Sequence, residues 1–397
     1  MNPGLEHLYP YPFERLNALL DGVAPANDPF ISLALGEPKH AAAPFLLAAA
    51  TDPEAVARGL ATYPPTAGLP SLRTAIADFI GRRFGAPIDP DSEVLPVNGT
   101  REALFAVAQA INPGTGSLTL MPNPFYQIYE GAAILSGSEP RYLPCDAANG
   151  FEPDFDAISD ETWRETSLLY ICTPGNPHGA VMTTEKLCHL IGLAREHDFV
   201  IVSDECYSEI YADETAPPPG LLSAAMSLGD GYGNCLAFNS LSKRSNLPGL
   251  RSGYVAGDRA LMEKFRLYRT YHGSAMSVHN QLISEAAWND EAHVIENRQL
   301  YRDKYDAFLS VIGDTWPMTA PTASFYLWPE TPFADEQFAA ELMRVANIKT
   351  LPGSYLSRTV DGHNPGARRV RLALVATQDE CVAAAERIRD RFSLLRG

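Results

Sequence analysis

Between Ser117 and Asn239, short apolar runs of β-type residues alternate with longer stretches of helical periodicity, and this rhythm restricts the possible folds more than any other feature of the chain. The runs Ser117 to Met121, Leu168 to Cys172, Phe199 to Ser203 and Leu236 to Asn239 have strand length, and candidate helices at Tyr126 to Leu135 and Thr184 to His197 lie between them. Strands that recur with intervening helices pair in parallel through crossovers, and the helices cover both faces of the sheet. The expectation is an α/β fold with a large domain whose mostly parallel sheet is flanked by helices. Ser71 to Phe84 and Arg101 to Ile111 also repeat apolar residues at helical spacing.

Beyond this region the pattern changes. A helical stretch from Ala260 to Ile312, interrupted near Gly273 and Asn289, leads to strand candidates at Ser324 to Trp328 and Arg369 to Leu374 and helices at Asp335 to Ala346 and Gln378 to Leu395. That mixture predicts a small α+β domain. The chain divides into an N-terminal arm contributing to the small domain (1–40), a large domain (41–287) and a small C-terminal domain (288–397). Prolines at 3, 10, 12, 25, 29 and 38 mark the arm, which holds one short amphipathic stretch, Phe13 to Leu20. The proline-rich segment Ala216 to Gly220 reads as a loop inside the large domain.

Composition narrows the function. The 48 acidic and 31 basic side chains give a net charge of -17, with no basic run to neutralise a nucleic-acid backbone. An anionic substrate would need a local cluster of arginine or lysine to overcome this field. Six cysteines, at 145, 172, 188, 206, 235 and 381, lack Cys-x-x-Cys or zinc-ligand spacing and read as small buried apolar residues, so no metal site is expected. The start lacks a basic stretch followed by an apolar one, and no run approaches the roughly 20 residues that span a bilayer. A cytoplasmic protein without membrane contact is the expectation.

Four stretches at strand ends carry candidate chemistry. Asn98-Gly99-Thr100-Arg101 opens a helix, so it is either an ordinary N-cap or a site where backbone N–H groups face an anion such as phosphate. Thr173-Pro-Gly-Asn176-Pro-His-Gly179 is either a plain turn or a device that points the Asn176 amide into the crevice beyond the sheet. Asp204, ending an apolar strand, either caps the next helix or pairs with a buried cation such as a protonated pyridine nitrogen, and Tyr207 follows one turn later. Lys243, in Ser240-Leu-Ser-Lys243, is either a solvated lysine or an amine with lowered proton affinity, since it follows a strand and has Arg251 eight positions on.

The order of Asn98-Gly-Thr100, Asn176-Pro-His-Gly179, Asp204-x-x-Tyr207 and Ser240-x-Ser-Lys243, followed by Gly249-x-Arg251-x-Gly253, resembles the class I and II aminotransferases of fold type I. The likeness runs from about Pro12 to the C-terminus. It implies pyridoxal 5'-phosphate as cofactor, bonded to Lys243, with Asp204 on its ring nitrogen and Asn176 and Tyr207 on its ring oxygen. Gly99, Thr100, Ser240 and Arg251 would bind the phosphate, joined by Arg101, where relatives often carry glutamine. Tyr126 would stack on the ring, and Tyr63 would reach the phosphate across a homodimer interface. Arg371, in Val370-Arg-Leu-Ala-Leu374, would grip the substrate α-carboxylate, and Gly36 would let backbone approach it. The implied reaction passes an amino group from an amino donor to a 2-oxo acid, with Lys243 shuttling the Cα proton.

Three further stretches, Leu8 to Leu16, Leu35 to His40 and Pro124 to Gly131, look most like the N-succinyldiaminopimelate aminotransferases of proteobacterial lysine biosynthesis. The implied substrates are N-succinyl-LL-2,6-diaminopimelate and 2-oxoglutarate, giving N-succinyl-2-amino-6-oxopimelate and glutamate. Lys39 and Arg101 are the candidates for the distal carboxylates. An aspartate or aromatic amino acid aminotransferase is the alternative, as is a carbon–sulfur lyase with the same cofactor. A non-catalytic regulator is disfavoured, because the residues before Gly36 are too few and too proline-rich for a DNA-binding domain.

Overall fold

Near-continuous apolar runs such as Leu168 to Cys172 and Phe199 to Val202 suit strands buried on both faces, and the chain uses them so. In the computed structural model, which describes residues 1–395, a helix Pro12–Leu20 precedes a two-residue strand, β1 (Ile31–Ser32). Seven strands then build one sheet: β2 (Val94–Val97), β3 (Leu118–Asn123), β4 (Glu139–Pro144), β5 (Thr166–Cys172), β6 (Val200–Asp204), β7 (Cys235–Ser240) and β8 (Gly253–Gly257). Their spatial order is β2-β8-β7-β6-β5-β3-β4. Neighbours from β7 to β4 pair in parallel, whereas β8 runs antiparallel to both β2 and β7.

Successive strand residues face opposite sides. Leu169, Ile171 and Ile201 join Phe79 and Trp288 in one core, while Leu168, Tyr170, Val200 and Val202 join Leu104 and Phe265 in the other. The helices Pro70–Phe84 and Val278–Asn289 supply the first face, and Thr100–Ile111 and Arg259–His272 the second. The helix Thr184–His197 starts where the Thr183 hydroxyl accepts from the Lys186 N–H, and stops at Asp198, whose φ of 58° turns the chain toward β6.

A second lobe follows. β9 (Tyr326–Leu327), β10 (Ile348–Lys349), β11 (Leu351–Pro352) and β12 (Val370–Ala373) surround their own core, which includes Phe308, Phe338, Leu342 and Ile388. β11, β12 and β9 form an antiparallel sheet, and β10 pairs in parallel with β1, which stitches the N-terminal arm to this lobe. The helix Ala292–Ile312 serves both lobes: Asn297 bonds the Lys243 carbonyl, while Phe308 and Ile312 pack in the second core. No described helix is long and apolar enough to cross a membrane.

Some elements escape the sequence pattern. The helices Pro44–Ala50, Pro53–Ala61 and Leu221–Leu228 span only seven to nine residues, too few for an apolar repeat to be followed over several turns. β4 is a sheet edge whose prolines and charges conceal it, as edge strands commonly do. Tyr126 and Gln127 lie before the helix Ile128–Leu135 rather than within it, and the final helix ends at Arg391 in a 3-10 turn, Phe392–Leu395.

One clamp joins the lobes beside the strand ends. The Asn123 amide donates to the Arg358 carbonyl at 2.8 Å and accepts from the Arg358 N–H at 2.9 Å, and the Phe125 N–H donates to the Leu356 carbonyl at 3.0 Å. Arg358 also forms two bonds with buried Glu130, at 2.7 and 2.6 Å, and the Tyr142 hydroxyl donates to the same carboxylate at 2.7 Å. Glu130→Ala would strand the Arg358 guanidinium and should cost about 3–5 kcal/mol, read as a lower denaturation midpoint. A loss below about 1 kcal/mol, the range of exposed pairs, would show that this pair does not hold the lobes together.

Candidate active site

Register places the site. Cys172 of β5 lies level with Asp204 of β6, and Asp204 with Phe238 of β7. Continuing past these levels, the chain carries Asn176, Asp204 and Lys243 to the carboxyl edge of the sheet, where open parallel sheets bind ligands. All three line one cavity of about 370 Å³.

Lys243 sits in a one-turn helix, Leu241–Arg244, started by the Ser240 hydroxyl, which accepts from the Ser242 N–H at 3.1 Å. Its Nζ donates to the Gly36 carbonyl at 2.5 Å. Burial, reinforced by the Arg371 and Arg251 guanidiniums against an opposing influence from Cys206, pushes its ammonium down to about 8. Asp204 is buried. Its Oδ2 accepts from the Tyr129 hydroxyl at 2.6 Å and its Oδ1 from the Cys206 N–H at 3.3 Å. Burial nevertheless raises this carboxyl above its ordinary range.

Arg371 reaches the cavity from β12 in the second lobe, only 4% exposed. Its guanidinium donates to the Ala34 carbonyl at 2.8 Å and to Asn176 Oδ1 at 3.0 Å, and lies 4.4 Å from the Tyr326 ring centre. Its Nε is buried with no hydrogen-bond partner. The hydroxyls of Tyr207 and Tyr326 stand 2.8 Å apart. Gly36 packs so tightly here that a Cβ would lie 2.0 Å from the Tyr326 hydroxyl.

A second group gathers around the start of the helix Thr100–Ile111. Gly99 has φ 82°, and a Cβ there would meet Arg251 Nη2 at 2.2 Å, so both conformation and approach demand glycine. Thr100, Ser240 and Arg251 line the cavity at this helix N-terminus, which favours anions. Tyr126 and Arg101 line it too, and the exposed Arg101 guanidinium lies 5.4 Å from the Tyr11 ring centre.

Two expected residues are elsewhere in the single chain. Lys39 is exposed and outside the cavity lining, where its charge acts on Lys304 and Glu380, so it does not line the entrance. Buried Pro38 and the anchored His40 on either side fix that segment with Lys39 facing out. Tyr63 is 98% exposed and does not line the cavity. The sequence reading overlooked Tyr129 and Tyr326. Tyr129 lies one helical turn beyond Tyr126, a spacing that could have revealed it; Tyr326 carries no local signal, because only the packing of the lobes brings it in. Among the described residues no group of His, Cys, Asp and Glu is arranged to hold a metal ion.

A sheet of this topology, ending in a buried carboxylate and a desolvated lysine, defines an α/β enzyme scaffold with an amine-centred site. The model for aminotransferases of class I and II matches residues 28–388. An LL-diaminopimelate aminotransferase from Desulforudis audaxviator is 31% identical over 391 residues, covering 97% of this chain and 96% of the relative. A crystal structure of an aminotransferase from Neisseria meningitidis superposes with a TM-score of 0.93 at 46% identity, covering 100% of both chains. The aminotransferase AspB from Helicobacter pylori gives 0.88 at 36%, covering 96% of this chain and 98% of that one. The chain belongs to the class I and II aminotransferases, which depend on pyridoxal 5'-phosphate.

The residues present fit that cofactor. A buried carboxylate with a raised pKa needs a facing cation to stay ionised, which a protonated pyridine nitrogen is. The glycine cradle at Gly99 leaves backbone free beside Arg251, and the lysine amine opens on the same cavity. In enzyme stripped of cofactor, Lys243 should react with an acylating reagent such as acetic anhydride along a pH curve with its midpoint at about 8. Mass spectrometry of the Lys243 peptide reads the curve, with Lys243→Ala as the blank. A midpoint near the ordinary 10.5 would contradict the desolvated site.

Proposed function

We propose that this aminotransferase takes N-succinyl-LL-2,6-diaminopimelate as amino donor and 2-oxoglutarate as acceptor, a biosynthetic role in the cytoplasm. The observation that carries the reading is that, of the three arginines lining the cavity, the two left over once Arg251 is given to the phosphate are of different kinds. Arg371 is buried and has an unpartnered Nε, whereas Arg101 is exposed. A substrate with one α-carboxylate and further carboxylates at its far end would use both, and in a chain of net charge -17 such anions need this local compensation. The likeness of Leu8 to Leu16 and Pro124 to Gly131 to enzymes of that specificity supports the same substrate.

In this reading Arg371 binds the α-carboxylate through a charge-assisted fork, with Asn176 and the Gly36 backbone beside it. Gly99, Thr100, Ser240 and Arg251 hold the cofactor phosphate, Asn176 and Tyr207 its ring oxygen, and Tyr126 its ring face. Bound pyridoxal phosphate supplies an electron sink for the carbanion. Asp204 keeps the ring nitrogen's proton in place. Lys243 Nζ would carry the proton removed from the substrate Cα, a role suited to an amine whose proton affinity burial lowers. The arm 1–40 and the lobe 288–397 would form one small domain over 41–287, since β1 and β10 join them.

A second substrate reading rests on Glu37, which lines the same cavity. A carboxylate in that lining would suit a free distal amino group as well, and the relative from Desulforudis audaxviator is an LL-diaminopimelate aminotransferase. Comparing kcat/KM for N-succinyldiaminopimelate, LL-diaminopimelate, aspartate, phenylalanine and N-acetylornithine decides between them. The succinylated donor should lead by at least about tenfold, or 1.4 kcal/mol of transition-state discrimination, and Arg101→Ala should erase that lead. A lead for LL-diaminopimelate or for aspartate would replace the proposed substrate.

We further propose a homodimer in which Tyr63 serves the neighbouring site. Tyr63, Leu60, Leu267 and Tyr271 are all exposed apolar side chains of this one chain, with Tyr63 and Tyr271 almost bare. Light scattering should give twice the chain mass, and Tyr63→Phe should weaken cofactor retention without dissociating the dimer. An active species of single-chain mass would overturn this arrangement.

A further inference from the structure

Behind the cavity lies a buried polar cluster that transamination as described does not use. Lys304, on the helix Ala292–Ile312 and 3% exposed, has its Nζ 2.6 Å from His40 Nε2 and donates to the Val375 carbonyl at 3.4 Å. His40 Nδ1 lies 2.8 Å from Asn297 Oδ1. Asn297 Nδ2 donates to the carbonyls of Lys243 and Arg244, at 3.2 and 3.4 Å, and its Oδ1 also accepts from Asn246 at 2.9 Å. The His40 ring packs on Tyr301 with centroids 4.6 Å apart.

These contacts fix the histidine's protonation. With Nδ2 committed to two carbonyls, Asn297 Oδ1 is an acceptor, so His40 Nδ1 carries the proton and donates. Its Nε2 is then the lone pair that accepts from Lys304. Burial favours the same state by holding the His40 imidazole below its usual value and pushing Lys304 down to about 8, with Lys39, Glu380 and Cys381 as the other groups acting on that lysine.

Each end of the cluster leads to a residue of the site. Asn297 grips the backbone of Lys243, Val375 lies four residues beyond Arg371, and His40 lies four residues beyond Gly36. The carbonyls of Gly36 and Ala34 are the ones that accept from Lys243 and Arg371. We propose that His40 is a positioning residue: tied to Lys304 and Asn297, it sets the segment 34–37 so that one pair of backbone carbonyls aims both the reactive lysine and the carboxylate-binding arginine.

The test uses the holoenzyme with two variants. His40→Ala should raise KM for the amino donor and the 2-oxo acid by at least about tenfold, with a smaller change in kcat, because ground-state carboxylate binding is what slackens. It should also move the midpoint of the spectrophotometric pH titration of the cofactor–lysine linkage by at least about half a unit. The double variant His40→Asn with Lys304→Met retains a donor at the Nδ1 position and leaves no lysine stranded, so it should return both values to within about threefold and 0.3 unit of the parent. The titration needs no substrate and therefore decides the inference even where the proposed donor is wrong. A fall in thermal stability with KM and midpoint unchanged would reduce His40 to packing and overturn the proposal. Where His40→Ala does not fold, the double variant His40→Leu with Lys304→Met, which fills the space but gives Asn297 no donor, decides instead: a rise in KM of about tenfold upholds positioning through Nδ1, and values near the parent's overturn it.

Discussion

Parallel pairing of β5, β6 and β7 is the constraint on which the rest of this molecule depends. Because adjacent parallel strands end at the same edge, the segments after Cys172, Asp204 and Ser240 leave the sheet side by side. Both faces of those strands are covered by helices, so the edge is the one place where their polar residues can meet a ligand. A one-residue slip in any of the three would exchange its two faces, and in β6 it would turn Asp204 away from the cavity.

The second lobe completes this edge rather than standing beside it. Arg371 and Tyr326 come from its small sheet, and their contacts are the Ala34 carbonyl of the arm and the Asn176 side-chain amide and Tyr207 hydroxyl of the first lobe. Four cationic side chains, Arg101, Lys243, Arg251 and Arg371, therefore share one cavity in a strongly acidic chain. The carbonyls of Ala34 and Gly36 temper two of them without neutralising either, which leaves charge for an anionic substrate. Desolvation does the remaining tuning, moving Lys243 and Asp204 toward their neutral forms.

Much of this was legible beforehand, for a physical reason. Strands buried on both faces must be apolar, and amphipathic helices must repeat at their own period, so β5, β6, β7 and the helix Thr184–His197 announce themselves locally. The family resemblance pointed to Gly99 and Gly36, but the steric reason for glycine at each came only from the packed structure. Elements whose stability comes from neighbours were not. β8 has only three residues between its bounding glycines, and β4 is a broken edge. Lys39 misled because a charged residue three positions beyond Gly36 looks close in sequence, while the segment held by buried Pro38 and anchored His40 leaves it exposed.

The sequence by itself determined the α/β architecture, the membership of the aminotransferase class and the group of residues at the strand ends, since each rests on short-range patterns of polarity and turn chemistry. Tertiary structure alone decided the rest. It set the proton affinities of Lys243 and Asp204, because burial is a property of the packed molecule and no single stretch of chain contains it. It also decided which distant groups meet: Tyr129 on Asp204, Tyr326 beside Tyr207, and His40 between Lys304 and Asn297. Those contacts join residues from 75 to more than 250 positions apart; packing within the first lobe selects the Tyr129–Asp204 pair, and the meeting of the lobes and the arm around one cavity selects the others.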